Sequence, residues 1–266
     1  MLKILVCVKQ VPDIDLVKMD PETGNLVRDG VPAILNPLDA NALEAAVRLK
    51  EQVGAEITVI TMGPPAAESA LRECLAVGAD KAVLISGREF GGADTLATSY
   101  VIVKAAKQLD DYDLVFCGKE SLDGATGQMG SQLAARFDFS QVTSMSLVKD
   151  VDEAGKKIVV EREMENGTET IEAAIPCLFT VEKTNYPARL PNLKGKMAAK
   201  KKPITVLGPA DIQNLDASKI GAVGSGTIVP RIYPPILPEP GVIVNEGSVE
   251  ANVDFICNIM ANEGRL

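Results

Sequence analysis

Short apolar segments alternate with longer amphipathic ones along the first half of the chain. The apolar segments have the length of buried strands, and they are Ile4–Val8, Glu56–Met62, Lys81–Ile85 and Asp113–Cys117. The segments with helical spacing run from Asn36–Asp39 to a stop at Gly54, from Gly63 through Ala76, over Ala93–Leu109, and over Gly127–Phe137. This alternation predicts βαβ units, and therefore an α/β fold with an open, mainly parallel sheet and flanking helices.

The pattern changes after about residue 140. Two charged, alternating segments, Lys156–Arg162 and Thr168–Ala174, flank Asn166-Gly167, which is a strong signal for a two-residue turn. A β-hairpin is therefore predicted over residues 156–174. Two further strands are predicted at Cys177–Val181 and Ile204–Leu207, with a loop over 183–202 between them.

The last part of the chain begins with a segment rich in Gly and Pro. Residues 221–240 lack a core of their own and predict an extended linker. A short strand at Val242–Val244 and a helix from about Val249 to Met260 follow, and the helix needs a surface to dock on because its apolar residues share one face. We predict an α/β domain over 1–220 and a C-terminal arm with a helix over 221–266.

The composition excludes several classes of mechanism. The 266 residues include no histidine, so the chain can build neither a Ser-His-Asp triad nor a zinc site with imidazole ligands. The five cysteines form no CxxC pair, which argues against disulfides and iron–sulfur ligands and is typical of the reducing cytoplasm. We expect no signal peptide, no membrane span, no metal site and no catalytic side chain, so any chemistry belongs to a bound cofactor.

Charge is distributed unevenly along the chain. The formal net charge of −9 disfavours nucleic-acid binding. Seven of the 27 basic residues lie within residues 183–202, which contain no acidic residue, so the rest of the chain carries −16. The lysines at 200–202 are by default a solvated charge run, and the alternative is a basic surface aimed at a partner.

The loop from Gly118 to Gly130 is the most informative candidate for a ligand site. It leads from a strand into a helix at the edge where open parallel sheets bind ligands. Glycines at 124, 127 and 130 permit close approach to the backbone, and free N–H groups at a helix N-terminus can hold a phosphate. The alternative is a glycine-rich cap with tight helix packing, because the loop matches neither a Walker A nor a GxGxxG motif.

A second candidate loop, Gly91–Ser99, also precedes a helix. Asp94 is most simply the helix N-cap. The hydroxyls of Thr95 and Thr98 nevertheless lie near a strand end, where they can bind ribityl, ribose or phosphate oxygens.

Other polar or reactive residues have ordinary structural roles by default. Asn36 and Asp39 are interpreted as helix caps, and Cys7 and Cys117 as core residues at the ends of buried strands. Arg162 is interpreted as a surface ion-pair partner within the hairpin.

Several segments agree, in order, with one known family. They are Ile4–Asp13, Asn36–Asp39, Ala45–Lys50, Ala76–Asp80, and the region Val160–Pro176 together with Asn192 and Lys200–Lys202. On these segments the chain resembles the β subunit of electron-transfer flavoproteins along nearly its whole length. The resemblance implies an adenine-nucleotide-binding, Rossmann-like core and a heterodimer with a larger α subunit, which carries FAD on a mobile domain.

The resemblance implies one of two cofactors. In ordinary members the core holds AMP as a structural ligand. In electron-bifurcating members it holds a second FAD, which takes hydride from NADH and divides the electrons between the α-subunit FAD with its partner dehydrogenase and ferredoxin or flavodoxin. The segment Gly91–Ser99 is similar to the bifurcating type, whose Asp and Thr residues contact the extra flavin. We therefore predict the electron-transfer subunit of an NADH-dependent bifurcating oxidoreductase complex of anaerobic metabolism.

The cofactor site carries over residue by residue from this resemblance. The implied cofactor-binding residues are Val8, Asn36, Asp39, Met62, Asp94, Thr95, Thr98, Cys117, Gly118, Asp123, Thr126, Gly127 and Gln128.

One departure concerns the loop that the family uses to recognise partner dehydrogenases. The family commonly presents an aliphatic residue just before an Asn, and here Thr184 stands at that position. Either Tyr186 or Leu190 replaces that anchor, or the partner is a lactate-type or other FAD dehydrogenase instead of an acyl-CoA dehydrogenase. The predicted partner-binding residues are Tyr186, Arg189, Leu190, Lys200, Lys201 and Lys202.

Two alternative functions stay open at this point. One is an ordinary electron-transfer flavoprotein β subunit that holds AMP and gives no flavin reduction by NADH. The other is a stand-alone nucleotide-binding regulator that resembles universal stress proteins. The long Gly/Pro arm and the C-terminal helix argue against the second alternative, because both are suited to embrace another chain.

Overall fold

The computed structural model describes residues 1–13, 18–19, 26–27, 31–184, 186–230, 241, 243 and 247–265. Its strands, in chain order, are β1 (Leu2–Cys7), β2 (Gln10–Pro12), β3 (Lys18–Met19), β4 (Leu26–Val27), β5 (Ala33–Leu35), β6 (Ala55–Met62), β7 (Lys81–Ile85), β8 (Leu114–Gly118), β9 (Ser140–Asp152), β10 (Lys157–Met164), β11 (Gly167–Ala174), β12 (Cys177–Val181) and β13 (Thr205–Leu207). Its α-helices are α1 (Pro37–Val53), α2 (Glu68–Val77), α3 (Thr95–Leu109), α4 (Met129–Phe137), α5 (Leu193–Lys201) and α6 (Val249–Asn262).

A nine-stranded sheet in the described part of the chain has the order β11-β10-β9-β12-β8-β1-β6-β7-β13. The seven strands from β9 to β13 in this order run parallel, and the hairpin β10–β11 is antiparallel. From β1 the chain first builds outward through β6 and β7, and then returns to place β8 on the other side of β1. The winding direction therefore switches between β1 and β8. The predicted α/β fold class is confirmed.

The alternation of side chains in β1 explains why helices cover both faces of the sheet. Ile4 and Val6 pack on one face in a core shared with α1 and α2. Leu5 and Cys7 pack on the opposite face in a core shared with α3 and α4. All four side chains are buried. A strand that is buried on both faces reads as a continuous apolar segment, which is the pattern of residues 4–8.

Two elements differ from the predictions. Strand β9 was not predicted, because short polar residues interrupt its apolar positions; it pairs with β12 on one side and with β10 on the other. Helix α5 lies within residues 183–202, so the prediction of a loop is wrong there. Asn192 caps α5 by accepting a hydrogen bond from Gly195 N–H at 2.8 Å. Gly195 also permits α5 to approach α2, since a Cβ there would collide with the carbonyl oxygen of Ala76.

The hairpin predicted over residues 156–174 is confirmed. Met164 pairs with Gly167 at the end of the β10–β11 ladder, so Glu165 and Asn166 form the turn. Gly167 has a φ of +143°, which favours glycine at this position. Arg162 pairs with Glu169 across the ladder at 3.0 Å, which confirms its interpretation as a surface ion-pair partner.

The chain forms two compact units, Met1–Pro230 and Arg231–Leu266. The predicted division after residue 220, with an arm that docks on a partner, stays a prediction. In the second unit the predicted helix is confirmed as α6, whose N-cap Ser248 accepts a hydrogen bond from Ala251 N–H at 3.2 Å. The strand predicted at Val242–Val244 lies largely outside the described residues. None of the helices in the described ranges is long and apolar enough to cross a membrane.

Candidate functional site

A cavity of about 910 Å³ opens at the carboxyl ends of β1, β6, β7 and β8. Open parallel sheets bind ligands at this edge, where the winding direction switches. Helices α3 and α4 begin at the cavity. All of the predicted cofactor-binding residues except Asp123 line it, namely Val8, Asn36, Asp39, Met62, Asp94, Thr95, Thr98, Cys117, Gly118, Thr126, Gly127 and Gln128.

Asp39 joins the ends of the two central strands. From the first turn of α1, its Oδ2 accepts a hydrogen bond from Lys9 N–H at 2.8 Å and its Oδ1 accepts one from Gly118 N–H at 2.8 Å. Burial raises the pKa of Asp39 to about 7, although these two hydrogen bonds favour the charged form. A Cβ at Gly118 would lie 2.6 Å from Asp39 Oδ1, so only glycine fits. The interpretation of Asp39 as a helix cap is therefore wrong, because the side chain fixes β1 to β8.

Asn36 holds the loop that follows β8. It occupies the N-cap position of α1, as predicted, but its side chain makes no capping hydrogen bond. Instead, Nδ2 donates to the carbonyl oxygen of Glu120 at 2.9 Å, and Oδ1 accepts a hydrogen bond from Leu122 N–H at 3.2 Å. The capping role is thus wrong, and the side chain positions the loop between β8 and α4.

Helix α4 begins at the cavity with uncapped N–H groups. Its N-cap residue Gln128 makes no side-chain capping bond, and in the described part of the chain the N–H groups of residues 126–131 reach no acceptor. Gly127 has a φ of +61°, and a Cβ at Gly130 would collide with Thr180. Because a helix N-terminus carries partial positive charge, this end offers donors and a favourable potential to an anion.

Helix α3 begins at the same cavity but is capped by Asp94. The Oδ1 atom of Asp94 accepts a hydrogen bond from Ala97 N–H at 3.0 Å, which confirms the N-cap interpretation. Its Oδ2 accepts hydrogen bonds from the N–H groups of Gly226 at 2.8 Å and Thr227 at 3.0 Å. Burial alone would raise the pKa of Asp94, but these backbone hydrogen bonds outweigh it and hold the pKa below its ordinary value.

A chain of side-chain hydrogen bonds joins the starts of the two helices. Thr95 Oγ1 donates to Gln128 Oε1 at 2.8 Å and accepts from Gln132 Nε2 at 3.1 Å. Ser99 Oγ donates to Gln132 Oε1 at 2.9 Å and accepts from Arg136 Nε at 3.0 Å. These bonds fix α3 and α4 relative to each other along one wall of the cavity.

Asp123 orients Lys9, which lines the cavity. Lys9 Nζ lies 2.7 Å from both carboxylate oxygens of Asp123. Burial alone would raise the pKa of Asp123, but the hydrogen bonds from Lys9 and Ser121 outweigh it, and the pKa lies below its ordinary value. Asp123 thus reaches the cavity through two lining residues, Lys9 and Ser121.

The predicted set of cofactor-binding residues omits part of the lining. The further lining residues include Lys9, Gly63–Pro65, Ser86–Arg88, Phe90, Ile102, Leu133 and Thr227. Lys9 and residues 86–88 directly follow β1 and β7, at the strand ends where the sequence already predicts a ligand site. Thr227 carries no such signal, because it reaches the cavity only through the hydrogen bond to Asp94.

The two cysteines at the cavity are core residues. Cys7 and Cys117 are 7% and 4% exposed. Burial raises the pKa of both thiols far above the physiological range. Their interpretation as core residues is therefore confirmed, since a buried neutral thiol is a poor nucleophile.

The segment that contains the predicted partner-binding residues is attached to α1. Thr184 is buried, and its Oγ1 donates to the carbonyl oxygen of Tyr186 at 2.6 Å. The guanidinium group of Arg48 stacks on the Tyr186 ring at 3.9 Å from the centroid. Arg189 pairs with Glu44 at 2.7 Å and with Glu51 at 2.6 Å. Tyr186 and Arg189 are therefore engaged within the chain.

Glu44 is the buried acid at the centre of this attachment. Its side chain is 1% exposed and accepts hydrogen bonds from both Arg48 and Arg189. Burial alone would raise the pKa of Glu44, but the bonds from the two arginines outweigh it and hold the pKa below its ordinary value. Removing one partner of such a buried pair is costly, so the cluster fixes residues 186–190 on α1.

Leu190 is the apolar side chain that this segment presents to solvent, with 87% exposure. Leu193 and Met197, on α5, are 76% and 60% exposed. Lys200 and Lys201 are exposed beside them, whereas Lys202 Nζ donates to the carbonyl oxygen of Ala79 at 2.7 Å. The interpretation of residues 200–202 as a solvated run is therefore wrong for Lys202.

One family model matches most of the chain. The electron transfer flavoprotein domain model covers residues 23–212.

Several known proteins are similar over most of their length. The chain is 48% identical over 235 residues to the caffeyl-CoA reductase-Etf complex subunit CarD of Acetobacterium woodii, and the match covers 88% of each chain. It is 45% identical over 251 residues to the electron transfer flavoprotein subunit beta of Thermoanaerobacterium thermosaccharolyticum, with 94% of this chain and 95% of the relative covered. It is 42% identical over 264 residues to the corresponding subunit of Megasphaera elsdenii, with 96% of each chain covered.

Proposed function

The chain belongs to the electron transfer flavoprotein family as a β subunit that partners an α subunit, and from this premise we propose that it is of the electron-bifurcating type. The family binds flavin or AMP, and the cofactor we propose for this chain is FAD. That FAD would accept hydride from NADH and pass one electron towards the α-subunit FAD and a dehydrogenase, and the other to ferredoxin or flavodoxin. The protein supplies binding, orientation and a defined electrostatic environment.

The size of the cavity is the observation that carries the proposal. Small-molecule sites have volumes of about 300–1,000 Å³. The cavity of about 910 Å³ lies near the upper end of that range, which favours a dinucleotide over a mononucleotide such as AMP.

The chemistry of the lining fits the two ends of a dinucleotide. The uncapped N–H groups of residues 126–131 suit a pyrophosphate, and the Lys9 ammonium, which is paired with Asp123, is a further donor at the same wall. Thr98 lines the cavity, and its hydroxyl has no partner among the described residues, so it is free to donate to a ribityl or ribose oxygen. We therefore keep the predicted set of cofactor-binding residues as a proposal, with Asp123 acting through Lys9.

Asp94 favours the alternative function. Its carboxylate already accepts hydrogen bonds from Ala97, Gly226 and Thr227, so most of its acceptor capacity is used within the chain. The alternative is a non-bifurcating β subunit in which AMP occupies the end of the cavity near α4. In that case Asp94 is a structural residue, and the remaining volume is filled by solvent.

We further propose that Leu190 is the anchor for a partner dehydrogenase. Tyr186 lies under Arg48, whereas Leu190 is 87% exposed, so Leu190 is better placed to replace the aliphatic residue absent at Thr184. The relative from Acetobacterium woodii is named for a complex that reduces a CoA thioester, which favours an acyl-CoA-type dehydrogenase over a lactate-type one.

The C-terminal arm and α6 are proposed to dock on the α subunit. Val249 and Ile256 of α6 are more than half exposed.

The decisive experiment identifies the nucleotides released from the purified αβ heterodimer by HPLC. Two FAD per heterodimer, together with flavin reduction by NADH, support the proposal. One FAD and one AMP, with no flavin reduction by NADH, contradict it and establish the alternative.

A variant separates the role of the lining from that of the fold. Thr98→Val removes one hydroxyl from the cavity and is expected to lower FAD affinity by about fivefold, the equivalent of one hydrogen bond of about 1 kcal/mol. Thr170→Val, on the exposed hairpin, is the matched control and should leave FAD content unchanged.

A further inference from the structure

A second cavity, of about 510 Å³, lies between α3, α4 and the segment around residue 213. It shares no lining residue with the first cavity. Three cations contribute to its walls: Lys104 and Lys107 from α3, and Arg136 from α4. The other lining residues are uncharged, and they are Tyr100, Val103, Gln108, Gln213 and Asn214.

None of these three cations has a carboxylate partner in the described ranges of the chain. The nearby acids of residues 211–216 are engaged elsewhere. The carboxylate of Asp211 accepts a hydrogen bond from Gly208 N–H at 2.8 Å, and that of Asp216 accepts from Ser218 Oγ at 2.7 Å. In a chain with a net charge of −9, a cavity with three unneutralised cations attracts anions.

Helix capping explains two of the cations but not the third. Lys107 and Arg136 lie in the last turns of α3 and α4, where cations stabilise the helix C-terminus. Lys107 Nζ also donates to the carbonyl oxygen of Arg136 at 2.9 Å. Lys104 lies in the middle of α3 and donates no hydrogen bond within the described residues; its Nζ is 6.0 Å from the centroid of the Tyr100 ring. This contact is at the outer limit of a cation–π interaction, so a structural role accounts for Lys104 less fully than for the other two cations.

We propose that this cavity binds a small anion that carries a phosphate group. Arginine and lysine are the residues that bind phosphate oxygens, and both Lys107 and Arg136 keep N–H groups beyond those used within the chain. The exposed amides of Gln213 and Asn214 add neutral donors at the rim. The volume is within the about 300–1,000 Å³ of small-molecule sites. The proposal does not depend on which nucleotide occupies the first cavity.

Arg136 connects the new site with the first cavity. Its Nε donates to Ser99 Oγ at 3.0 Å, and its Nη2 donates to the carbonyl oxygen of Leu96 at 3.1 Å. Because these bonds hold the first turns of α3, a test should leave Arg136 intact. Lys104 is the better position for substitution.

The test titrates inorganic pyrophosphate into the αβ heterodimer, with its nucleotides bound, by isothermal titration calorimetry. We expect saturable binding whose affinity falls as the ionic strength rises, because dissolved salt screens the attraction between exposed charges. Lys104→Gln should weaken binding by about tenfold, as expected for a charge-assisted hydrogen bond, and Lys104→Arg should restore most of it. Lys194→Gln removes the same charge from α5 and should change the affinity by less than about twofold.

A second arm distinguishes the sources of the phosphate group. ADP is titrated in place of pyrophosphate, and HPLC of the protein afterwards confirms that its own nucleotides are retained. If ADP binds and Lys104→Gln weakens it equally, the ligand is a nucleotide; if pyrophosphate alone binds, the ligand is a free polyanion. Absence of saturable binding by both probes overturns the proposal. An equal loss of affinity in Lys104→Gln and Lys194→Gln overturns it as well.

Discussion

Helices α3 and α4 both begin at the first cavity, but their N-termini are completed in opposite ways. The N-terminus of α3 is capped within the chain, because Asp94 accepts hydrogen bonds from Ala97 and from the segment at Gly226. The N-terminus of α4 has no side-chain cap. Because Gly130 has no Cβ, this end of the helix packs closely against Thr180 on β12. The first end is capped within the chain, whereas the N–H groups of the second have no acceptor among the described residues.

This difference predicts the orientation of a bound nucleotide. A carboxylate at α3 repels phosphate, whereas free N–H groups and the helix dipole at α4 attract it. The phosphates should therefore lie at α4, next to Lys9. Neutral parts of the ligand should lie at α3, where hydroxyls such as that of Thr98 are available.

Gly130→Ala should have the largest effect. The added Cβ collides with Thr180 and approaches Cys117 Sγ to 3.3 Å, so α4 must move away from β8 and β12. Overpacking of this kind costs about 1–3 kcal/mol, and we expect a value near the upper end with loss of most of the bound nucleotide. Urea unfolding and the nucleotide content of the heterodimer measure the two effects.

Gly124→Ala is the matched control for this substitution. Gly124 lies in the same loop, but its added Cβ would meet only Ser121 Oγ, at 3.6 Å. It should therefore keep both stability and nucleotide content. If Gly130→Ala behaves like Gly124→Ala, the position of α4 does not determine phosphate binding. The contrast drawn between the N-termini of α3 and α4 is then wrong for α4.

Asp94→Ala should have the next largest effect, of about 2 kcal/mol on unfolding. It removes a cap, worth about 0.5–2 kcal/mol, and leaves the N–H groups of Gly226 and Thr227 without their acceptor. Asp94→Asn keeps a capping oxygen, so it should lose only about half as much. Equal loss of flavin in both variants, with the stability of Asp94→Asn preserved, would instead indicate that the carboxylate contacts the flavin directly.

Local features of the fold could be predicted from the sequence because they depend on neighbouring residues. Pro37 and Gly54 bound α1 as predicted, and Gly54 ends the helix with a φ of +80°. The cap at Asp94 and the hairpin belong to the same class, although the turn is formed by Glu165 and Asn166, one residue earlier than Asn166-Gly167. In each case the backbone conformation is fixed within a few residues, and the residue type reports it.

Features that depend on distant contacts could not be predicted in the same way. The neighbours of Asp39 in the sequence predict a cap, because none of them reveals that Gly118 approaches it across 79 positions of the chain. The hydrogen bonds from Asp94 to residues 226–227 span more than 130 positions. Strand β9 contains a left-handed residue, Ser144, and a register shift against β12, so its apolar positions do not keep a period of two.

Asp39 should give the third effect, a dependence of stability on pH that Asp94 does not share. The pKa of Asp39 is raised to about 7 in the folded protein, so between about pH 4 and 7 the native state binds a proton that the unfolded chain releases. This stabilising contribution is full below about pH 4 and is lost as the pH rises through 7. The slope can reach about 1.4 kcal/mol for each pH unit.

Chemical denaturation at a series of pH values measures this slope, with Asp39→Asn as the control that cannot titrate. Asp94 has a lowered pKa, so its contribution is lost only as the pH falls below about 4, outside this window. An equal slope in the wild type and Asp39→Asn between pH 4 and 7 would show that the buried carboxyl remains charged.

Ser225→Ala should have the smallest effect. It tests the hydrogen bonds of the segment 221–227 to Asp94 separately from those of the Asp94 carboxylate. Ser225 Oγ accepts a hydrogen bond from Asp94 N–H at 2.8 Å and donates to the carbonyl oxygen of Gly221 at 2.8 Å. Its removal should cost about 1 kcal/mol in unfolding free energy, because two half-buried hydrogen bonds are lost while the carboxylate bonds remain. Ser218→Ala, whose hydroxyl bonds only the exposed Asp216, should cost less than about half as much. Equal costs would mean that the segment at 225–227 is held by the carboxylate of Asp94 alone, and the closure of α3 would then rest on a single side chain.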